Sequence, residues 1–270
     1  MKAGPGPEAA AGGASNGPAG AALAEVVAGV TGVPAATLNA AGIGSGVTGT
    51  PQPITGSPLT SGGKPEVLDI GAEYCPFCAA ERWAAVVALS RFGSFPGLRT
   101  VHSPSSDVDA DTPTVTFYQA TYTSRYVTFT PVGTCTHPGG DLHQHPPGSC
   151  YIPISRLYPA AETGPGRAAL MSTYHAPPYV PAQDLDATPF YDFGNRHLIS
   201  RASFSPQILD GKSWAQIAPA LTNPASPVAQ AVDGTANYLT AAICTLTGSR
   251  PASACTPTVK MLEKGLEKNR

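Results

Sequence analysis

Charge is scarce in this chain. Asp, Glu, Lys and Arg make up 13% of its 270 residues, about half of the roughly 25% usual in globular proteins. Sixteen basic residues stand against 18 acidic ones, for a formal net charge of −2. Nucleic-acid surfaces need a concentrated excess of Lys and Arg, which this scatter does not supply, so that class of partner is excluded. No apolar run reaches the ~18 to 20 residues of a membrane helix. The longest candidate, residues 21–33, is interrupted by Glu25 and two glycines. Residues 1–5 lack the apolar centre of a signal peptide, and the sequence reads as a soluble chain. It also has no nucleophile elbow, phosphate loop or H-E-x-x-H, so hydrolase and nucleotide chemistry have no local support.

What the chain has in quantity is backbone punctuation, with 29 glycines and 29 prolines. Residues 1–63 hold 15 of the glycines and only three charged residues, Lys2, Glu8 and Glu25. The first twenty read as a flexible tether, because they offer too little apolar surface to offset the entropy of ordering. Residues 21–30 predict a short helix ended by Gly32 and Pro34, with loop from there to Gly63. The folded part then starts. Val67-Leu68-Asp69-Ile70 predicts a buried parallel strand, residues 76–91 a helix covered on most sides, and residues 98–102 a second strand.

Further on, alternating β-branched and aromatic residues over 112–132 predict a β-hairpin. Residues 154–174 contain a candidate helix. Two strands, 189–193 and 197–202, meet at Gly194-Asn195, a pair suited to a tight hairpin turn. Ser213 caps a helix with Trp214, Ile217, Ala218 and Leu221 on one stripe, and residues 227–246 form the last long helix. From Lys260 the charged tail reads as a solvated helix end. The chain thus divides into a tether (1–20), a helix-and-loop extension (21–63), a main α/β domain (64–256) with an insertion at about 104–185, and a tail (257–270). No internal repeat is visible.

Six cysteines stand at 75, 78, 135, 150, 244 and 255. Each has a plausible partner next in sequence, Cys75 with Cys78, Cys135 with Cys150 and Cys244 with Cys255, although spacing alone does not decide pairing. Low charge, few methionines and paired cysteines fit an oxidising, extracytoplasmic compartment. With no export signal in view, that reading expects a signal or anchor upstream of this chain, which is also its only expected tie to a membrane.

Cys75-Pro76-Phe77-Cys78 is the segment that carries chemistry. It follows a predicted strand and opens a predicted helix. There, unsatisfied N–H groups and the macrodipole stabilise a thiolate on the first cysteine. The second cysteine, one turn on, can resolve a mixed disulfide, and Pro76 suits the first helical turn, where its missing N–H is not needed. Two alternatives remain: half of a zinc site, which would want a second ligand pair that the sequence lacks, and an inert structural disulfide. His137, His143 and His145 lie between Cys135 and Cys150 and could bind copper or zinc. The alternative is a solvated loop closed by a structural Cys135–Cys150 bridge, with Cys244–Cys255 pinning the end of the last helix. Glu73 and Glu81 read as solvated charges at a helix start.

The segment from Val67 through Cys78 resembles the strand-to-active-site segment of thioredoxin-fold proteins, and with Ala79-Ala80-Glu81-Arg82-Trp83 it resembles an uncharacterised thioredoxin-like domain-of-unknown-function family. Tyr122-Thr123-Ser124, residues 189–195, Phe204-Ser205-Pro206 and Ala236-Asn237-Tyr238-Leu239 look like the same family, so the likeness spans roughly 20–255. It implies a thioredoxin-like α/β fold with a large β-containing insertion and an extra C-terminal helix. It also implies a role for Thr188-Pro189 as the cis-proline element facing the two cysteines, with the Thr188 backbone free to pair with a bound peptide; an ordinary trans loop proline is the alternative. Asp69, six residues before Cys75, takes the place of the buried acid that assists the resolving cysteine, or else bonds local backbone.

The function expected is extracytoplasmic thiol–disulfide exchange on protein thiols or disulfides, or with a redox partner protein, without a cofactor. Cys75 attacks, Cys78 resolves, Pro189 orients, Asp69 moves the proton and Thr188 meets the substrate. Potentials in this fold span roughly −270 to −120 mV, and the Pro-Phe dipeptide does not place the chain among them. The rivals are a non-catalytic surface binding module of the same fold and a metal-handling protein built on the His loop.

Overall fold

A computed structural model describes residues 17–105, 107–133, 170, 173–174, 176–181 and 188–268. Cys135, Cys150, His137, His143, His145 and the candidate helix over 154–174, apart from Leu170, Thr173 and Tyr174, lie outside these residues, as does the tether up to residue 16. The architecture is α/β, with helices packed on a mixed sheet.

Its centre is β3 (Lys64–Gly71). On one side β3 pairs in parallel with β8 (Thr128–Gly133), Asp69 lying opposite Pro131. On the other it pairs antiparallel with β9 (Phe190–Phe193), Asp69 lying opposite Tyr191. The sheet continues through β10 (His197–Ile199) to the short β1 (Gln52–Pro53), while β2 (Thr60–Ser61) pairs with the start of β3. Alternation along β3 and β9 divides the core. Val67, Tyr191 and Phe193 face the helices, and Leu68, Ile70, Phe190 and Leu198 face a second cluster with Ile54, Leu170 and Tyr174. The β9–β10 turn is the one read from Gly194-Asn195, with φ of 64° and 57°, the left-handed pair that a tight hairpin requires.

Against one face lies α3 (Pro76–Ser90), whose residues from Pro76 to Leu89 are all buried except Phe77. It packs on α5 (Pro227–Thr247), whose start is capped by the Ser226 hydroxyl, accepting from the Ala229 N–H at 3.0 Å. Before α5 in the chain comes α4 (Trp214–Ala220), begun as expected at Ser213 through a capping box with Gln216. α1 (Gly20–Thr31) ends at Gly32 and buries Val26 and Val30. Among the described residues no single helix is long and apolar enough to cross a membrane.

Four expectations are corrected. The stretch from Pro34 to Gly63 is not all loop: α2 (Ala35–Ala41) buries Leu38 and Ala41, and the loop after it crosses α5 so closely that a Cβ on Gly234 would lie 2.7 Å from the Gly44 Cα. Residues 98–102 do form a strand, β5 (Arg99–His102), but it pairs with β6 (Pro113–Thr116) in a separate two-stranded sheet.

Residues 112–132 are not a hairpin. β6 pairs with β5, β7 (Thr123–Ser124) with β4 (Gly93–Ser94), and β8 with β3. Their aromatic residues gather around Phe95 instead, with Phe117 and Phe129 4.8 Å apart and Tyr122 4.8 Å from Phe95. The second strand of the main sheet is therefore β8, inside the stretch read as an insertion; its Pro131, lacking an N–H, is tolerated because among the described residues β8 pairs on one side only, with β3. Last, the charged tail forms α6 (Pro257–Lys268), which buries Val259, Leu262 and Leu266 against the core. Cys244 and Cys255 are joined by a disulfide that ties the end of α5 to the start of α6.

Candidate functional site

β3 runs out at Gly71, and the chain turns through residues 72–75 into α3, the Cys75 N–H donating to the Ala72 carbonyl at 3.3 Å. Cys75 is the N-cap of α3 and Pro76 its first residue. As a cap, Cys75 is extended (φ −76°, ψ 120°), and its Sγ accepts from the Cys78 N–H at 3.4 Å. The two cysteines are free thiols, Cys75 8% exposed and Cys78 2%.

Their chemistry differs. The Cys75 thiol is lowered to about 6, first by a hydrogen bond from the Cys78 side chain, against the effect of burial, and further by the Cys78 N–H, Thr188 and the Arg82 charge. Burial pushes the Cys78 thiol well above its ordinary value. One cysteine is thus a thiolate near neutral pH and the other a thiol. The Cys78 Sγ in turn accepts from the Ala72 N–H at 3.5 Å.

Three of the other residues singled out in the sequence lie around this pair. The peptide bond between Thr188 and Pro189 is cis, and the Cys75 Sγ lies 3.8 Å from the Thr188 carbonyl oxygen. Pro189 is buried and leads straight into β9. Asp69 is 5% exposed, and burial raises its carboxyl to about 8 in spite of the nearby Arg82 charge and a hydrogen bond from the Tyr191 side chain. A Cβ on Gly71 would stand 3.5 Å from both the Asp69 Oδ1 and the Cys78 Sγ. The acid and the sulfur thus flank the same backbone position, each within contact distance of it.

Sequence reading missed the charged layer beneath the cysteines. Arg82 is 3% exposed; its Nη2 donates to the Ala72 carbonyl at 2.6 Å, and its Nη1 lies 3.4 Å from the Val115 carbonyl and 3.5 Å from the Glu73 carboxylate. Glu73 also accepts from the Thr116 hydroxyl at 2.9 Å. Glu81, read as a solvated charge, is fully buried. It accepts from the Ser203 N–H at 2.7 Å and hydroxyl at 3.0 Å, and burial raises its carboxyl to about 7.

Against the reading of Glu73 and Glu81 as solvated, these charges are covered by segments distant in sequence: Ser203 meets Glu81, and a second stretch covers Glu73 and Arg82. The chain between β5 and β7 folds over α3, its Pro113 carbonyl accepting from the Trp83 Nε1 at 2.8 Å and its Thr114 hydroxyl donating to the Ala79 carbonyl at 2.7 Å, and it covers a helix start that would otherwise face water. The one available signal was composition: in a chain so poor in charge, three charged residues within ten positions at a helix start are unusual. Among the described residues no group of three or more His, Cys, Asp or Glu is placed to hold a metal ion.

Over residues 51–135 the chain matches the model of an uncharacterised family, described as Domain of unknown function (DUF929). The matched stretch takes in β3, the two cysteines and Arg82 and stops short of Thr188 and Pro189, a narrower span than the 20–255 expected. No curated protein and no solved structure matches the chain.

Proposed function

We propose that this protein is an extracytoplasmic thiol–disulfide oxidoreductase of thioredoxin-like fold, acting on protein thiols or disulfides through Cys75 and Cys78. The observation that carries the reading is the asymmetry of the pair: a low-pKa cysteine capping α3 opposite Thr188-Pro189, and a buried thiol beside Asp69. The order β8-β3-β9-β10, with β8 parallel to β3 and the cis-proline opening antiparallel β9, supports the fold. The Cys244–Cys255 bridge supports an oxidising compartment.

The reaction balances as two exchanges. The Cys75 thiolate attacks one sulfur of a partner disulfide, forming a mixed disulfide and expelling the other partner sulfur as a thiolate, which takes a proton from water. Cys78 gives its proton to the Asp69 carboxylate and attacks the Cys75 Sγ, expelling the second partner thiolate and closing Cys75–Cys78. Two electrons pass to the partner. Run backwards, the same steps oxidise a partner dithiol. A lowered pKa also makes Cys75 the better leaving group.

Redox titration against glutathione, with mass mapping of every cysteine, tests this. The expected result is that Cys75–Cys78 opens alone, at a potential above about −300 mV, while Cys244–Cys255 stays closed. A Cys75–Cys78 bridge that resists reduction together with Cys244–Cys255 would remove the chemical basis for exchange and leave a binding module with a stapled turn.

A further inference from the structure

Groups from β3, the active turn, β6 and β9 gather around one cation on α3. Arg82 comes from the second turn of α3, Asp69 from β3, Glu73 from the turn, Tyr191 from β9 and Thr116 from β6. The Ala72 backbone is the junction of this arrangement: its N–H donates to the Cys78 Sγ, and its carbonyl accepts both the Cys75 N–H and the Arg82 Nη2. A guanidinium suits the place because its planar fork can bond a carbonyl and a carboxylate together, whereas an ammonium offers a single point of charge. At 3% exposure, it would be costly to keep without Glu73.

We propose that Arg82 is the positioning residue of the cysteine pair: it fixes the 72–75 turn through the Ala72 carbonyl and supplies the buried positive charge against which the Cys75 thiolate forms, with Glu73 setting how much of that charge remains. The inference rests on the oxidoreductase reading and deepens it. Arg82 touches neither sulfur through a hydrogen bond; it acts through the Ala72 peptide and through its field. The titratable groups facing it are Asp69, Glu73, Cys78 and Tyr191, with Cys75 feeling its charge more weakly than its own hydrogen bond from Cys78. Stabilising the thiolate stabilises the reduced form and makes the disulfide more oxidising, so the charge of Arg82 tunes the potential as well as the rate.

Two substitutions of opposite sign separate this role from a merely structural one. Arg82→Met removes cation and fork. The pH midpoint of Cys75 ionisation, read from thiolate absorbance and iodoacetamide alkylation, is expected to rise by about one pH unit, and the glutathione equilibrium to shift about tenfold toward the disulfide, ~30 mV for a two-electron couple. Glu73→Gln keeps an acceptor for Thr116 but removes the compensating charge, so the Cys75 midpoint is expected to fall. Arg82→Lys keeps the charge without the fork and should lie between Arg82→Met and wild type.

Should Arg82→Met not fold, Glu73→Gln and Arg82→Lys carry the test. Shifts in the same direction for Arg82→Met and Glu73→Gln, or a folded Arg82→Met with wild-type midpoint and potential, would overturn the role of Arg82. With Arg82→Met unfolded, a Glu73→Gln midpoint at or above wild type does the same. A wild-type Cys75 that ionises near an ordinary thiol value of about 8.5 would instead overturn the oxidoreductase reading on which the role depends.

Discussion

Cys75 and Asp69 titrate in the wrong order for a simple relay, and the order has consequences. Cys75 ionises at about 6, whereas Asp69 loses its proton only at about 8. In the proposed exchange, the first attack would therefore reach its plateau while Asp69 is still protonated, and resolution by Cys78 would wait for Asp69 to become a base. Asp69→Asn should leave the Cys75 alkylation profile in place, because the wild-type acid is already neutral where Cys75 titrates. Its effect belongs to the second step, slowed roughly 10²-fold, the lower end of what a positioned general base supplies. Stopped-flow exchange with a quenched fluorescent disulfide would show the mixed disulfide accumulating in the variant. It would also show the loss of the rise in wild-type resolution rate through about pH 8. A resolution rate equal to wild type at pH 8 and above rules out a proton-accepting role for Asp69.

At the scale of elements, α5 and α6 show what Cys244 and Cys255 do. Cys244 and Cys255 are buried, 11 residues apart, and their bridge closes the loop through which the long core helix reaches α6. In the chain-entropy account, closing a loop of this size stabilises by about 2 to 3 kcal/mol. The double substitution Cys244→Ser and Cys255→Ser is expected to lower urea stability by about that much, with the Cys75 ionisation midpoint unchanged. A parallel shift of that midpoint would mean that the bridge and the active turn are coupled, against their separate placement in the fold. α6 also depends on this junction: it holds Val259, Leu262 and Leu266 in the core while its charged residues stay outside.

Among the described residues, the molecule buries several acids that no cation faces closely enough to keep ionised. Besides Asp69 and Glu81, burial raises Asp192 to about 7 and Asp233 to about 8. Asp192 still accepts from the Asn195 N–H at 2.6 Å, whereas neither oxygen of Asp233 has a hydrogen-bond partner among the described residues. Carboxyls whose folded pKa exceeds the unfolded value bind protons in the folded state that the unfolded chain has already released. Between about pH 4 and 8 the folded form thus holds the excess of protons, and raising the pH removes the associated stability. The urea midpoint should fall steadily from pH 5 to pH 8. Asp233→Asn, which takes away one titrating group with no partner to lose, should flatten that slope and raise the midpoint at pH 8; a slope as steep as wild type would show that Asp233 does not titrate in the folded protein.

What the amino-acid sequence determined by itself is whatever local chemistry controls. The strand before the cysteines, the capped helix after them, the turn at Gly194-Asn195, the Ser213 cap and the 227–246 helix were legible because each depends on residues within a few positions of one another. The cysteine motif was legible for the same reason. Only the tertiary structure decided that residues 112–133 fold over α3 before sending β8 to the central sheet, since alternation along a chain says that a face is buried but not against which partner. It likewise decided the fate of Glu73, Glu81 and Arg82. In a one-dimensional reading, charges at a helix start belong in water; here the segments that cover them arrive from 30 or more residues away, residues 113–116 for Glu73 and Arg82 and Ser203 for Glu81, and supply polar groups that no local pattern announces.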